Sequence, residues 1–474
     1  MKKIKSIHLV GVKGVGMTPL AIIAKEAGIS VTGSDIEEEF ITDEPLIKAG
    51  IRPMVGFAPD DIGSPDLVIV TGAHGGFDNP QVKKAVAENI PVWTQGQAVG
   101  EFMNGKIFEK KISGISVSGT HGKTTTTAII ATILSQSNLD PSYVIGTSQI
   151  PSLGLPGHLG KGKYFIAEAD EYATEPEYDK TPKFMWQNPE IIVITNIELD
   201  HLDLYGNVGQ LRKDFLKFAK KVESKGRLII CGDDGENRKL IKDYKGEVTT
   251  YGFSPSNDIV IEKISQIASG TFFFVGSKGT SLGEFYLNLP GQFNALNALA
   301  GISAGIEIGL PIDKIKNSLS KYKGAKRRFE YIGKLSSGAL LFDDYAHHPT
   351  EIKKTLKAFH DSFNNKKIVC IFQPHTFSRT KTLFEDFVNS FSNADTVLIA
   401  DIYPSLREKI DDSVSSEFLV RKMSTLHNSV MYLSDIPSVV KYISEKNFGQ
   451  DYIIVSMGAG DIYKIQENLE FEKD

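Results

Sequence analysis

The chain has 474 residues, of which 41% are hydrophobic and 23% are charged, a balance typical of a soluble globular protein with roughly two to four domains. Its 53 basic and 58 acidic residues leave a net charge of -5, which argues against an extended nucleic-acid groove. No apolar run has the length of a membrane span, and the N-terminal apolar run breaks at Gly11, too early for a signal peptide, so we expect a cytoplasmic protein.

Three segments follow one another along the chain. In residues 1–104, short β-branched runs alternate with helical stretches, which predicts a Rossmann-like parallel sheet. Residues 105–324 begin with a buried strand and a helix, then change to an alternating, glycine-punctuated pattern that predicts antiparallel hairpins beside a central α/β sheet. Residues 325–474 return to strand–helix alternation and predict a third, Rossmann-like α/β domain. Cys231 and Cys370 lie in apolar runs, which favours two buried, reduced thiols over a disulfide or a metal site.

A glycine-rich loop, "GVKGVGM", follows the first predicted strand and carries Gly11, Gly14 and Gly16. It resembles the dinucleotide-binding fingerprint, but Lys13 stands where that fingerprint has its middle glycine. Asp35 ends the next strand, where a ribose-binding acid would lie. The pattern predicts a nucleotide-type ligand without specifying NAD. A plain glycine-rich turn followed by an N-cap aspartate is the alternative.

The central segment contains "SGTHGKTTTTA", whose Gly-Lys-Thr is the core of a phosphate-binding loop. Val117 replaces the first glycine of the full Walker A motif, so the loop is shorter than usual. A helix that begins near Lys123 would still aim its N-terminus at phosphates, with Thr124 or Thr125 offering a hydroxyl to Mg²⁺. Threonine capping of a plain helix is the alternative, but four consecutive threonines are poor helix formers. The loop that would hold ATP comprises Gly119, Thr120, His121, Gly122, Lys123, Thr124 and Thr125.

Metal-ligating side chains follow two further buried strands of the central segment. Glu168 lies in "AEADE", with Asp170 and Glu171 as rivals, and carboxylate oxygens suit Mg²⁺. His201 lies in "NIELDHLD", but imidazole is a softer ligand, so, taken alone, this residue is better interpreted as a structural histidine. These clusters fall where parallel strands end, which is where open α/β sheets bind ligands.

Eight motifs, in this order and spacing, resemble the Mur ligases of peptidoglycan synthesis over nearly the whole chain. They are "GTHGKTTTT", "EADE", "TNIELDH", "GQFNALNA", "RRF", "DDYAHHPTE", "FQPHTFSRT" and "GAGD". The resemblance implies a UDP-sugar-binding domain at 1–104, a central P-loop-type ATP and Mg²⁺ domain at 105–324 and an amino-acid-binding domain at 325–474. It also implies that ATP activates the lactyl carboxylate of UDP-N-acetylmuramate as an acyl phosphate, which the amine of L-alanine then attacks.

The resemblance assigns roles residue by residue. Gly11, Gly14, Gly16 and Asp35 would contact the UDP-sugar. Thr124, Glu168 and His201 would lie at the metals, and Asn294, Asn297 and Arg328 would contact ATP. Tyr345, His347, His375 and Arg379 would bind the amino acid. The catalytic residues would be Lys123, Arg328 and His347, with His347 or His348 accepting the proton of the amine. We expect small-molecule substrates, no nucleic-acid partner, and a monomer or a homodimer.

Some positions depart from the expected pattern. Phe293, Thr376 and residues 405–408 differ from the usual motifs of the family, and Tyr172 follows "EADE" where the alanine-adding branch usually has Ser-Asp. The stretch "EADEYATEPEYDKTPKF" resembles the recycling branch, which attaches an L-Ala-γ-D-Glu-meso-diaminopimelate tripeptide to the same sugar nucleotide. The third segment resembles the alanine-adding branch, so L-alanine is the preferred acceptor and the tripeptide the alternative.

Two other classes of function are also open. An NAD-dependent dehydrogenase would use the first loop, but it requires a conventional fingerprint and leaves the Gly-Lys-Thr loop without a role. A non-catalytic binding protein with a degenerate ligase fold predicts loss of Lys123, Glu168 or His201, and all three are present.

Overall fold

The computed structural model describes residues 3–222, 224–404, 408 and 410–472. They divide into two compact units. The first comprises Met1–Ile264, Phe273–Leu287 and Leu296–Lys323, and the second comprises Ser265–Phe272, Asn288–Ala295 and Gly324–Asp474. Of the atypical positions at 405–408, residues 405–407 lie outside the described part of the chain.

A five-stranded sheet opens the first unit. Its elements are β1 (Ser6–Val10), α1 (Thr18–Glu26), β2 (Ser30–Asp35), α2 (Asp43–Lys48), β3 (Met54–Val55), β4 (Leu67–Val70), α3 (Pro80–Ala87), β5 (Val92–Thr94) and α4 (Gln95–Met103). The strand order is β3-β2-β1-β4-β5, and every pairing is parallel. Helices between parallel strands bury both faces of the sheet, so β4 is apolar and buried along its whole length. The predicted Rossmann-like sheet is confirmed.

The central sheet has ten strands and carries the phosphate loop. Its elements are β6 (Ser113–Ser118), α5 (Lys123–Gln136), β7 (Ser142–Val144), β8 (Gly157–His158), β9 (Tyr164–Ala169), β10 (Ala173–Glu175), β11 (Asp179–Pro182), β12 (Ile191–Ile194), α6 (Val208–Ala219), β13 (Arg227–Cys231), α7 (Gly235–Asp243), β14 (Val248–Gly252), β15 (Ile259–Ile267), β16 (Gly270–Ser277), β17 (Thr280–Leu287), α8 (Gln292–Glu307) and α9 (Ile312–Leu319). The strand order is β17-β16-β15-β14-β13-β12-β6-β9-β7-β8, while β10 and β11 form a separate antiparallel hairpin.

The central sheet is mixed. Pairings from β14 through β12, β6 and β9 to β7 are parallel. Hydrogen-bonded neighbours β16 and β17 are joined by Lys278 and Gly279 alone, and a two-residue connection requires antiparallel strands. Both residues have positive φ, 46° and 78°, as the tight hairpin turn demands. The predicted α/β domain with an antiparallel portion is confirmed.

One apolar core joins the two sheets of the first unit. It includes Leu20 of α1 and Phe102 of α4, together with Val144, Phe165 and Ala167 of the central sheet. Burying these side chains in one cluster stabilises the contact between the N-terminal and central sheets. The loops at the ends of the strands are therefore held by a packed interior.

The second unit contains a six-stranded sheet. Its elements are β18 (Glu330–Lys334), β19 (Leu340–Asp344), α10 (Pro349–Ser362), β20 (Lys367–Phe372), α11 (Phe377–Thr382), α12 (Phe384–Val388), β21 (Thr396–Ile399), α13 (Ser416–Met423), β22 (Val430–Tyr432), α14 (Ile436–Lys446) and β23 (Tyr452–Met457). The order is β18-β19-β23-β20-β21-β22, parallel except for β18. The α/β architecture predicted for the third segment is confirmed.

The cysteines behave as the sequence predicts. Cys231 and Cys370 are free and buried, and burial raises the pKa of Cys231 to about 11, so both thiols stay protonated and inert. Among the described residues, no helix combines the length and the apolarity that crossing a membrane requires.

Candidate active site

Three loops meet at the carboxyl edge of the central sheet. β6 lies between β9 and β12, with Val117 opposite Glu168 and Ser118 opposite Ile194. Because the strands are parallel, the loops that follow them emerge side by side. The phosphate loop, the "EADE" segment and the segment that leads to His201 therefore form one polar cluster.

The phosphate loop requires its two glycines. Gly119 has φ 130° and Gly122 has φ 82°, and a Cβ at these positions would lie 2.0 Å from Thr195 Oγ1 and 2.5 Å from Asn297 Oδ1. Gly122 is the N-cap of α5, and no side chain caps that helix. The threonine-capping alternative is therefore wrong. The N-terminus of α5 has the geometry that binds anions through backbone N–H groups and the helix dipole.

Lys123, the first residue of α5, is held by the loop and by an acid. Its Nζ donates to the carbonyl oxygens of Gly119 at 2.7 Å and Thr120 at 3.2 Å, and to both carboxylate oxygens of Glu171 at 3.0 and 2.9 Å. Burial alone would lower the pKa of Lys123, but the Glu171 and Asp170 carboxylates outweigh burial and raise it. Lys123 is therefore a cation beside the predicted phosphate positions.

The predicted metal ligands fall into two adjoining groups. Glu168 Oε2 accepts a hydrogen bond from Thr124 Oγ1 at 3.1 Å. Separately, ligand atoms of Asp170, Glu171 and His201 all lie within 4.8 Å of one another. Two carboxylates and one imidazole can hold a divalent cation, and the oxygens suit Mg²⁺ better than the nitrogen does. The sequence treats Asp170 and Glu171 as rivals of Glu168, whereas the structure brings them to His201.

The pKa values in this cluster reflect burial and charge. Burial raises the pKa of Glu171. Burial would also raise the pKa of Asp170, but Lys183, Lys123 and His201 outweigh burial and hold it well below its usual range. Lys183 Nζ lies 2.9 Å from Asp170 Oδ2. The carboxylate of Asp170 is therefore ionised at neutral pH and forms an ion pair with Lys183.

The first glycine loop is folded around Asp35. This carboxylate is buried and accepts the backbone N–H of Lys13 at 2.7 Å. Gly11 has φ 79°, in the left-handed region, whereas Gly14 and Gly16 do not have positive φ. The structure thus places Asp35 where it fixes the loop, and the loop's contact with a UDP-sugar stays a prediction.

Both predicted asparagines lie on α8. Asn297 Oδ1 is the atom that a Cβ on Gly122 would meet, which places Asn297 against the phosphate loop. Asn294 is buried, and its Nδ2 donates to the carbonyl oxygen of Pro290 at 2.8 Å. Asn294 therefore secures the start of α8, and the contact of both asparagines with a nucleotide stays a prediction.

In the second unit, the structure brings the predicted amino-acid-binding residues together. The Tyr345 ring lies 5.2 Å from the His347 ring, which lies 6.1 Å from the His375 ring. Arg379 Nη1 is 3.3 Å from His375 Nδ1, and Arg328 Cζ lies 4.8 Å from the centre of the Tyr345 ring. A guanidinium and two imidazoles in one cluster can hold a carboxylate and accept a proton.

The two histidines of "AHHP" have different positions. His348 is the N-cap of α10, and its Nδ1 accepts the N–H of Thr350 at 3.3 Å. His347 Nδ1 lies 3.0 Å from the carbonyl oxygen of Tyr345, so this ring nitrogen carries the proton and Nε2 is the basic atom. Of the two, His347 is the candidate proton acceptor.

Sequence reasoning missed two buried charged residues of this unit. Arg327, the first arginine of "RRF", and Asp344, at the end of β19, are both less than a tenth exposed. Burial, opposed by the charge of Arg328 and by two backbone N–H groups, raises the pKa of Asp344 to about 6. The doubled arginine in "RRF" and the doubled aspartate in "DDY" are the signals that would have pointed to them.

Comparison with known proteins identifies the class. Three family models match in order: the Mur ligase family catalytic domain over 6–107, the Mur ligase middle domain over 117–305 and the Mur ligase glutamate ligase domain over 327–460. The chain belongs to the Mur ligase family.

Within that family, the chain is similar over its full length to several proteins named UDP-N-acetylmuramate–L-alanine ligase. The UDP-N-acetylmuramate–L-alanine ligase of Desulfitobacterium hafniense is 39% identical, with 98% of this chain and 99% of that protein covered. The ligase of the same name from Geobacter sp. is 36% identical, with 98% and 97% covered. Among solved structures, the UDP-N-acetylmuramate–alanine ligase of Thermotoga maritima is 28% identical over 98% of this chain and 97% of its own, with a TM-score of 0.80. A murein peptide ligase from Psychrobacter arcticus, 24% identical over 98% and 97% with a TM-score of 0.70, shares the fold.

Proposed function

We propose that this chain is an ATP-dependent ligase that joins L-alanine to the lactyl carboxylate of UDP-N-acetylmuramate in peptidoglycan synthesis. The observation that carries the proposal is its similarity, at 36–39% identity over at least 98% of the chain, to proteins named for that reaction. The phosphate loop and the acidic cluster at one sheet edge supply the chemistry that such a reaction needs.

The reaction is two displacements. An oxygen of the lactyl carboxylate attacks the γ-phosphorus of ATP, and ADP leaves as an acyl phosphate forms. The amine of L-alanine then attacks the acyl carbon, loses a proton, and displaces inorganic phosphate as the amide bond forms. A carboxylate is a poor electrophile, so its phosphorylation provides the leaving group. Phosphoryl transfer depends mainly on positioning and charge neutralisation.

Residues of the phosphate loop and its neighbours would position the phosphates of ATP and neutralise their charge. Lys123 and the N-terminus of α5 would neutralise the β- and γ-phosphates, and Arg328 would bind the γ-phosphate through its planar fork. Thr124 and Glu168, with the group formed by Asp170, Glu171 and His201, would hold Mg²⁺. When bound, Mg²⁺ would supply positive charge to the phosphate oxygens.

On the amino-acid side, Arg379 would hold the carboxylate of L-alanine and leave its amine free to attack. Nε2 of His347 would accept the proton that the amine loses. Tyr345 and His375 would complete the pocket around the small side chain. ATP and sugar nucleotides are intracellular substrates, which fits our expectation of a cytoplasmic enzyme.

The alternatives are less well supported. The tripeptide acceptor rests on the "EADEY" segment, since the murein peptide ligase at 24% identity shows a shared fold only. A dehydrogenase leaves the phosphate loop of a Mur ligase domain unexplained. A degenerate, non-catalytic ligase would have no need to keep Lys123, Glu168 and His201 together.

Phosphate release tests this proposal. With the wild-type protein, release should require ATP, Mg²⁺, UDP-N-acetylmuramate and L-alanine together. Lys123→Ala should lower the rate by about 100-fold or more, because an electrostatic stabiliser of the transferring phosphoryl group is lost. Lys217→Ala, which removes an exposed lysine of α6 that pairs with Asp214, is the matched control and should keep the wild-type rate. Equal rates in the Lys123 and Lys217 variants would refute the mechanism.

A further inference from the structure

Arg327 is buried at the carboxyl edge of the second unit's sheet, where it is 5% exposed. Its Nε donates to Asp343 Oδ2 at 3.0 Å, and Ser456 Oγ donates to the other oxygen of that carboxylate at 2.6 Å. Its Nη1 and Nη2 donate to the carbonyl oxygens of Gly460 at 3.0 Å and Gly458 at 2.6 Å. One planar guanidinium thus joins the ends of β19 and β23 to the loop after β23.

The same guanidinium lies between two aromatic rings. Its Cζ is 5.2 Å from the centre of the Tyr345 ring and 4.5 Å from that of the Tyr463 ring. Stacking on aromatic faces while donating in a fixed plane is a property of arginine that lysine lacks. The guanidinium groups of Arg327 and Arg328 therefore both lie over the Tyr345 ring and restrict its orientation.

The backbone of Arg327 is fixed as tightly as its side chain. Its φ is 61°, in the left-handed region, and Phe329 also has a positive φ of 50°. The Arg327 N–H donates to Glu330 Oε2 at 2.8 Å, and its carbonyl oxygen accepts the N–H of Tyr345 at 2.7 Å. Arg328 lies between two residues with positive φ, so the direction of its side chain depends on how this turn is held.

We propose that Arg327 is a positioning residue for the ligase reaction. It fixes the ring of Tyr345 and the turn that carries Arg328, and it acts through these two residues without touching substrate. The inference rests on the proposed function, because Tyr345 and Arg328 are assigned to the amino acid and to the γ-phosphate there. It adds a role for the first arginine of "RRF", which the proposed mechanism does not use.

Kinetic constants separate positioning from a purely structural role. Arg327→Lys keeps a cation opposite Asp343 but loses the fork and the stacking. A misplacement of about 1 Å in a positioned group can cost roughly 100-fold in rate. We therefore expect kcat/KM for L-alanine to fall by about 10- to 100-fold, while KM for UDP-N-acetylmuramate, assigned to residues of the first unit, stays within about twofold of wild type.

The experiment compares Arg327→Lys and Arg327→Ala with Lys334→Ala. Lys334 ends the neighbouring strand β18, pairs with Glu472 on the surface, and provides the matched control, which should keep wild-type constants. Arg327→Ala should regain part of its activity when guanidinium ion is added at millimolar concentration, since the ion can occupy the vacated position beside Asp343. Circular dichroism establishes that each variant is folded at the assay temperature.

The possible results distinguish the positioning role of Arg327 from the proposed ligase function. Loss of kcat/KM for L-alanine in the folded lysine variant, with rescue of the alanine variant, supports the positioning role. Lower melting temperatures with unchanged kinetic constants would overturn it and leave the proposed function standing. A wild-type protein that forms no amide with L-alanine would overturn the proposed function and this role together.

Discussion

Lys123 Nζ lies 3.0 and 2.9 Å from the two carboxylate oxygens of Glu171, a side chain that is 1% exposed. The pair joins the start of α5 to the segment after β9, and the carbonyl oxygen of Glu171 also accepts the hydroxyl of Tyr205 at 2.8 Å. A buried ammonium group needs such a partner, because removing the charge from water costs free energy that only an opposite charge and hydrogen bonds in the interior can offset. Glu171 is thus the residue that keeps Lys123 charged inside the fold.

Replacement of Glu171 by glutamine should therefore destabilise the protein. Breaking one side of a buried ion pair leaves an uncompensated charge, and we expect the free energy of unfolding to fall by about 3 kcal/mol. Urea denaturation at neutral pH measures the change. Glu109→Gln, which removes an exposed partner of Lys3, is the control and should leave the midpoint unchanged. Equal midpoints for both variants would show that the buried pair contributes nothing.

The first glycine loop offers a matched pair of substitutions. A Cβ on Gly11, whose φ is 79°, would lie 2.3 Å from Thr71 Cγ2, whereas a Cβ on Gly14 would meet nothing closer than 3.4 Å. Gly11→Ala should cost about 1–2 kcal/mol of stability from the backbone alone and should weaken UDP-N-acetylmuramate binding. Gly14→Ala should change neither property strongly. Thermal unfolding and calorimetric titration with the sugar nucleotide measure both, and indistinguishable variants would contradict the loop geometry.

Asp344 predicts a pH dependence of stability. Its folded pKa of about 6 lies above the ordinary value of 3.8, so the folded state binds its proton more tightly than the unfolded state does. The protonated Asp344 therefore stabilises the folded state fully below about pH 4, and this stabilisation is lost as the pH rises through about 6. The free energy of unfolding should fall by on the order of 3 kcal/mol over this range. Asp344→Asn should lack this component.

Unfolding free energies of the wild type and Asp344→Asn, measured from pH 4 to pH 8, test this assignment. The wild-type curve should fall relative to the variant between pH 4 and pH 6, and the two should run parallel above about pH 7. The carboxylate accepts the N–H groups of Phe329 and Ala346 at 2.7 and 2.8 Å, so the variant should also lose about 1–3 kcal/mol at all pH values. Parallel curves throughout would refute the raised pKa.

Glu168 should govern the requirement for Mg²⁺. Its carboxylate contacts the hydroxyl of Thr124 and accepts the N–H of Gly146, so it is fixed at the start of the acidic segment. Glu168→Gln should raise the Mg²⁺ concentration for half-maximal phosphate release by about tenfold or more, because an anionic ligand becomes neutral. Glu177→Gln, an exposed position of the neighbouring hairpin, should leave the Mg²⁺ dependence unchanged. If both variants match the wild type, Glu168 does not serve the metal.

The sequence was sufficient to predict the class of fold and the phosphate loop. Lys123, Glu168 and His201 each follow an apolar run that ends at a polar motif, and parallel strands bring such ends to one edge. Local patterns cannot reveal which of those residues pair. Glu171 contacts Lys123, which lies 48 residues earlier in the chain. The two residues are brought together by the register of β6 against β9.

Burial of charge was the hardest feature to predict. Arg327 lies in a lysine- and arginine-rich stretch that is typical of a protein surface. Its burial depends on Asp343 and on the carbonyl oxygens of two glycines that lie more than 130 residues further along the chain. The sequence also does not show that the two adjacent histidines of "AHHP" have different roles, because these depend on the capping of α10 by His348 and on the contact of His347 with the Tyr345 carbonyl. In both cases tertiary contacts, which have no local signature, decide the role.

The proposed ligase activity is tested most directly by phosphate release from the purified protein with ATP, Mg²⁺ and UDP-N-acetylmuramate, comparing L-alanine with the L-Ala-γ-D-Glu-meso-diaminopimelate tripeptide as acceptor. Mass spectrometry of the product identifies which amide has formed. We expect turnover with L-alanine and formation of UDP-N-acetylmuramoyl-L-alanine. Turnover with the tripeptide alone, or with neither acceptor, would contradict the proposed function.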